Sequence, residues 1–315
     1  MDFMEWHRAI QDFLNELRHH RGASENTILA YQNDLSQLAS FLGGYLGPGE
    51  RWQEVNGAVL NAYVQSWLAQ QRYTSSTLAR KIAALRTFFR WLLQRGEISE
   101  DPSLQLRSPR VERRLPRVLD ESEVQHLFAV IARSPSFRSL RDRALLEVIY
   151  AAGLRVSEAV GLRLRDVDLE KGVVLCSGRP GRVRSVPLTH SAVAAVRDYL
   201  RHRNEVASIE PDAYLFVNSR GNKLTRQSVW QTIRHYGREA GLGDDLTPHT
   251  LRHSRAAHLL ERGMDIRTVR EWLGHANLAT TYLYRQFYSQ ARNGALVSDS
   301  VLDSRASLPP LAVSA

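Results

Sequence analysis

One cysteine, Cys176, occurs in 315 residues, which excludes an internal disulfide framework and any multi-cysteine metal site. Lysine is nearly as scarce: Lys81, Lys171 and Lys223 are the only three, so 39 of the 42 lysines and arginines are arginine. No run of eighteen apolar residues occurs, and the chain does not open on a charged-then-apolar secretory pattern. A membrane span and an exported product are therefore not expected, and the cytoplasm is the expected compartment. What is present is ordinary for a globular protein, with 43% hydrophobic and 24% charged residues and enough length for two separate cores. The net charge of +9 favours a polyanionic partner, because arginine displaces the counterions condensed on nucleic acid.

The charge is unevenly spread. Residues 1–106 hold 10 Lys and Arg against 11 Asp and Glu, whereas Arg107, Arg110, Arg113, Arg114 and Arg117 face a single Glu112 in residues 107–117. That short basic stretch, containing Pro109 and Pro116, is predicted to be an extended linker between two domains. Before it, apolar residues recur at three and four over Phe3–Leu17, Thr27–Leu42, Val59–Leu68 and Leu78–Leu93, which predicts four amphipathic helices over 1–106. Ser24, Asn56 and either Ser75 or Ser76 are their expected caps. Gly43-Gly44 and Gly96 are their expected stops.

After the linker, Asp120 or Ser122 opens a helix, and the mostly apolar Leu140–Ala152 reads as a central helix ended by Gly153. Leu162–Leu169, Val173–Cys176 and Val183–Leu188 are short and rich in Val and Leu, with turn residues between them, so a small antiparallel three-stranded sheet is expected. From Ser191 on, apart from Tyr214–Val217, the pattern is helical again. The fold class is thus an all-α four-helix domain followed by a mainly α (α+β) domain over 118–290, with a tail over 291–315 that is partly disordered. Near the C-terminus, Thr247-Pro248 reads as a cap with proline at the first helical position, which puts His249 and Arg252 at i and i+3 on one face. Gly274 ends the following helix and leaves His275 in a tight turn, and Asn277 is the expected cap of a helix carrying Tyr284.

His249-Thr250-Leu251-Arg252, Leu273-Gly274-His275 and Thr280-Thr281-Tyr282-Leu283-Tyr284 lie downstream of Gly153-Leu154-Arg155-Val156-Ser157-Glu158. Two arginines, two histidines and a tyrosine supply a hydroxyl nucleophile, fixed positive charge and proton carriers, which is what metal-free attack on a phosphodiester needs. The spacing of 23 residues from Arg252 to His275 and of 9 from His275 to Tyr284 resembles the tyrosine recombinase (phage integrase) family, and most closely its bacterial Xer type. The resemblance runs from about Phe3 to Tyr288.

The resemblance implies that the first domain is a core-binding clamp on double-stranded DNA. It also implies that the Tyr284 hydroxyl joins the 3′ end and frees a 5′ hydroxyl, with no metal, ATP or other cofactor. Arg155 and Arg252 would hold the non-bridging oxygens, His249 would move a proton, and His275 would hydrogen-bond the phosphate. Glu158 would either orient a neighbour or make a surface ion pair. Tyr282 lies about 200° around a helix from Tyr284, whereas Tyr288 shares its face. His253 and His258 fall off the motif and read as packing or surface residues. Arg80, Lys81 and Arg86 on the fourth helix, together with Arg113 and Arg114, are the expected DNA contacts, and Thr74–Thr77 could bond phosphates at that helix's start.

One departure from the family pattern bears on the chemistry. Arg179 stands in the turn Ser177–Arg182, where the family has a lysine that protonates the departing 5′ oxygen, and arginine is a poor proton donor. The expected function is site-specific cutting and rejoining of DNA, as in chromosome dimer resolution or the integration and excision of mobile elements. The working unit would be a homo-tetramer, or a hetero-tetramer with a related recombinase, on two sites at the nucleoid. The alternatives are a non-cleaving architectural relative of the same ancestry and a monomeric type IB topoisomerase-like enzyme. Part of 285–315 is expected to dock on a neighbouring protomer.

Overall fold

The computed structural model describes residues 3–20, 22–46, 51–69, 73–110, 116–177, 183–275, 281–282 and 284. The expectations for Arg113, Arg114, Arg179, Asn277, Tyr288 and the 285–315 segment lie outside these residues. The chain divides into two compact units between Arg114 and Leu115.

The first unit is helical: α1 Phe3–His19, α2 Glu25–Tyr45, α3 Gly57–Ala69 and α4 Ser75–Gln94, with short 3-10 turns at Trp52–Glu54 and Pro102–Gln105. Aromatic residues fill its centre. Phe13 sits 5.2 Å from Phe88 and 5.5 Å from Trp91, and Trp52 meets Phe88 edge-on at 4.9 Å, within the offset or T-shaped range that ring quadrupoles favour. Ser24 and Asn56 cap their helices as expected, but the cap of α4 is Thr74, whose hydroxyl accepts from the Thr77 N–H at 3.3 Å. Ser75 and Ser76 are therefore already helical. Helix α2 also runs through Gly43-Gly44 to Tyr45. Two glycines cost about 1 kcal/mol each in a helix, and the buried Leu42 and the stacked Phe41–Tyr45 pair, 5.2 Å apart, offset that cost.

The basic face expected on α4 needs correcting. Lys81 is 2% exposed, because it falls at i+3 from Leu78 and i−4 from Leu85 and so belongs to the apolar stripe. Its ammonium reaches Asp34 at 3.0 Å and Gln37 at 2.7 Å and lies over the rings of Trp67 and Tyr73. A buried cation needs this much compensation, and it leaves Lys81 no access to a DNA backbone. Arg80 pairs with the same Asp34, and Arg86 donates to the Leu106 carbonyl at 2.6 Å. Both therefore have partners inside the first unit.

The second unit holds α5 Glu121–Ala132, α6 Phe137–Ala152, α7 Val156–Gly161, α8 His190–Arg203, α9 Arg226–Glu239, α10 Pro248–Glu261 and α11 Ile266–Leu273. Asp120, not Ser122, caps α5 through a reciprocal bond with Glu123. Helix α6 is the centre of the core, with Leu145, Leu146, Val148 and Ile149 fully buried. Gly153 ends it at φ +59, and a Cβ there would meet the Leu273 side chain at 2.5 Å, so both the turn and the packing require glycine.

The sheet is antiparallel in the order β1 Val167–Asp168, β2 Val173–Ser177, β3 Val183–Pro187. The expected strand over Leu162–Leu169 is mostly a 3-10 turn, Leu164–Asp166, followed by two strand residues. Tyr214–Val217 makes only isolated bridges, Tyr214 to Arg163 and Val217 to Lys223. Cys176 faces Arg184 across the sheet, and Val174 faces Val186. Directly opposed residues share a face, so Arg184 points to the same side as the buried Val174, Cys176 and Val186.

Candidate active site

Helix α11 ends at Leu273, with Gly274 in the left-handed conformation at φ +62. The amides of Gly274 and His275 bond back to Arg270 and Glu271, which leaves the carbonyls of residues 272, 273 and 274 without a helical partner. Three arginines take them in order. Arg184 donates to Trp272 at 2.8 Å, Arg252 to Leu273 at 2.6 Å, and Arg155 to Gly274 at 2.7 Å. The negative end of the helix dipole thus faces three cations.

Glu158 joins the same arginines from the other side. Its carboxylate accepts from the Arg155 amide at 2.7 Å and its Nη1 at 3.0 Å, and from Arg184 Nη1 at 2.9 Å and Nη2 at 3.1 Å. Arg252 Nη1 lies 3.9 Å away. Burial alone would raise the Glu158 pKa, but the bonds and charge of Arg184 and Arg155 hold it below the usual carboxylate value. Of the two readings of Glu158, the structure supports the one in which it orients its neighbours, since the residue is only 9% exposed. Three cations against one carboxylate leave two positive charges in excess.

Arg252 is 3% exposed and spans two helix ends, since its Nη1 also donates to the Gly153 carbonyl at 2.5 Å. Burial and the Arg155 charge depress its pKa to about 10, so it stays protonated at neutral pH. Thr247 and Pro248 start α10 as expected, and His249 and Arg252 lie on that helix. His249 is exposed, yet the protein around it and the Arg252 and Arg155 charges keep its pKa low.

The His275 Nδ1 is 3.0 Å from the Thr281 hydroxyl, and burial with the neighbouring Arg252 and Arg155 pushes its pKa down to about 3. Tyr284 is a turn residue, with its amide bonded to Thr281, and it is 1% exposed; Tyr282 is 49% exposed. Burial pushes the Tyr284 phenol up to about 12, against the opposing pull of Arg252.

Arg155, Glu158, Arg252, His275 and Tyr284 are thus brought together in the second unit. Two further residues belong with them and were missed in the sequence. Arg184 could have been found as the odd charge at an inward position of an alternating strand. His253 stands next to Arg252, and its Nδ1 is hydrogen-bonded to the Tyr284 hydroxyl, with ring centroids 5.6 Å apart. It is therefore a site residue and not mere packing. His258 is a packing residue, buried and bonded to the Tyr150 hydroxyl at 2.8 Å.

Residues 117–291 match the phage integrase family, and residues 10–96 match the phage integrase N-terminal SAM-like domain. The chain belongs to the tyrosine recombinase (phage integrase) family. This recombinase is 44% identical over 278 residues to the tyrosine recombinase XerC of Roseiflexus castenholzii, covering 87% of each chain. It is 40% identical over 279 residues to the tyrosine recombinase XerD of Pseudomonas aeruginosa, covering 88% of this chain and 92% of the other. The crystal structure of XerH bound to palindromic difH in a post-cleavage complex shares the fold, with a TM-score of 0.70 and 23% identity over 87% of this chain and 80% of that one. Among the described residues, no helix of the recombinase is long and apolar enough to cross a membrane.

The depressed histidines give the recombinase a stability that depends on pH. His253, held at about 4, and His275, at about 3, stay neutral in the folded protein where the unfolded chain protonates them near 6.5. The unfolded state then binds more protons, so stability is full above about pH 6.5 and is lost as pH falls toward 4. Thermal melts from pH 7 to 4 are expected to fall steadily, and less steeply in His275→Gln.

Proposed function

We propose that this recombinase cuts and rejoins DNA at specific sites through a 3′-phosphotyrosyl link formed by Tyr284. The observation that carries the reading is a buried tyrosine hydroxyl in the field of Arg252, in a cluster whose cations exceed its carboxylate by two. That excess suits the two negative charges that gather on a phosphate under attack. Arg155 and Arg252 hold the non-bridging oxygens with the donors their carbonyl partners leave over, since a guanidinium has five N–H groups. His275, neutral, donates one further hydrogen bond. His249, at the rim, shuttles protons with solvent. The bond energy stays in the phosphotyrosyl link, so rejoining needs no ATP.

The DNA partner, assembly as a tetramer on two sites, and a place in the cytoplasm at the nucleoid follow from kinship with the Xer recombinases. So does a role in chromosome dimer resolution or mobile-element exchange. Nothing favours the non-cleaving alternative over this reading. The test is covalent capture: the full chain is incubated with fragmented genomic DNA of its source, denatured, and whatever remains attached is sequenced. Recovery of one recurring short site, joined through a 3′ phosphate, is the expected result. Tight binding to particular fragments with none attached would sink the reading.

Arg179 bears on the rate. In this reading it stabilises the leaving 5′ oxygen by charge and hydrogen bonding, while a proton reaches that oxygen from water or a histidine. General acid help is worth roughly a hundredfold to ten-thousandfold. Arg179→Lys is therefore expected to speed single-turnover cleavage, and an unchanged or lower rate would refute this role.

A further inference from the structure

His253 follows Arg252 on α10 and lies one turn from His249, with ring centroids 6.2 Å apart. It is half-buried, and its Nδ1 meets the Tyr284 hydroxyl. The resemblance gives it no part in the chemistry, so this contact calls for its own account.

The charged and titratable groups that act on His253 are His249 and Arg252 from its own helix, His275 from the turn after α11, and Tyr284 itself. None of the first three can be negative. Burial, His249 and Arg252 together hold His253 at about 4, so the ring is neutral at physiological pH. The phenol, pushed up to about 12, keeps its proton. A neutral ring carries its proton on one nitrogen only, and with that proton on Nε2 its Nδ1 is free to accept. In that tautomer the hydroxyl donates and Nδ1 accepts, which is how a general base sits before transfer.

We propose that His253 is the base that takes the proton of Tyr284 as its oxygen attacks phosphorus. The inference rests on Tyr284 being the nucleophile. The step balances: the Tyr284 O–P bond forms, the P–O5′ bond breaks, and the phenol proton passes to Nδ1. The 5′ oxygen takes a proton from water, or from a histidine other than His253, on the far side of phosphorus, and the reverse step returns the first proton to the tyrosine oxygen. Burial is the main cause of the low His253 pKa, and a scissile phosphate bound at Arg252 would offset the smaller part that the Arg252 charge contributes.

His253→Asn separates taking a proton from making a hydrogen bond. Its Oδ1 can stand where Nδ1 stands and accept from the hydroxyl, but it cannot be protonated. The assay is single-turnover cleavage by the full chain of a nicked duplex carrying the captured site, and of the same duplex with sulfur at the bridging 5′ position. Sulfur leaves without a proton, so it rescues a lost acid and not a lost base. His253→Asn and His253→Ala are both expected to lose about a hundredfold or more on both duplexes, with DNA binding retained. A near-parent rate in His253→Asn would reduce His253 to a positioning residue, and rescue by sulfur would move it to the leaving group. Either result overturns the proposal.

A second measurement needs no DNA. The imidazole nitrogen resonances of His253 should report a bare Nδ1 at neutral pH that shifts in Tyr284→Phe, and a protonated Nδ1 would overturn the proposal by itself. Capture of DNA by Tyr284→Phe would instead sink the reading on which the proposal rests, and so is told apart from a failure of His253.

Discussion

Tyr284→Phe is expected to bind the captured DNA as the parent does and to hold none of it after denaturation. The change removes one oxygen and leaves a ring that is 1% exposed in its place. What is lost in packing is the hydrogen bond to His253, worth about 1 kcal/mol net, so the fold should survive. What is lost in chemistry is the nucleophile, and with it the whole covalent step. Tyr282→Phe is the control: that side chain is 49% exposed, and its loss should leave capture intact. If Tyr282→Phe abolished capture and Tyr284→Phe did not, the assignment of the nucleophile would be reversed. Mass mapping of the DNA-linked peptide from the parent gives the same answer independently.

Glu158→Ala should be the most damaging single change to the stability of the second unit. The carboxylate accepts four hydrogen bonds, from Arg155 and Arg184, and lies within 4 Å of Arg252. Its removal leaves three cations with only carbonyl dipoles to balance them, two of them, Arg184 and Arg252, well buried. Taking one partner from a buried ion cluster costs about 3–5 kcal/mol, which for a unit of this size lowers the melting temperature by roughly 10 °C. Cleavage should also fall, by about a hundredfold even well below the melting temperature, because arginines displaced by about 1 Å no longer match the phosphate. Glu158→Gln keeps the shape and loses the charge, so it should fall between the two. A melting temperature in Glu158→Ala within 2 °C of the parent would mean that the carbonyls alone hold the arginines.

Much of this was legible in the sequence. The four helices of the first unit, the central α6 and the Thr247-Pro248 start of α10 follow from apolar spacing and capping chemistry, which act locally. A count of basic residues on α4 does not tell that Lys81 is buried, but its place on the stripe does: a lysine among Leu78, Ile82 and Leu85 is on the inside whatever its charge. The strand expected at Leu162–Leu169 shrinks to Val167–Asp168 because leucine suits a half-buried turn, here Leu164–Asp166, as well as a strand. His253 was visible but set aside, since a spacing motif ranks residues by position and takes no account of contacts. The anchoring of the three arginines could not be read at all. Their acceptors are main-chain carbonyls, which every residue owns and no side chain marks.

That last arrangement makes residues 272–274 a common rail for the chemistry. Three carbonyls on consecutive peptides are spaced by covalent geometry, so the distances between the arginine heads are set by the backbone and not by three independent rotamers. Side chains can change along the rail without loosening it, but a shift of the rail carries all three heads at once. The one position that cannot change freely is Gly274, where φ is +62 and a Cβ would sit 2.8 Å from Arg184 Nη1. The phosphate clamp is therefore kept or lost as a unit.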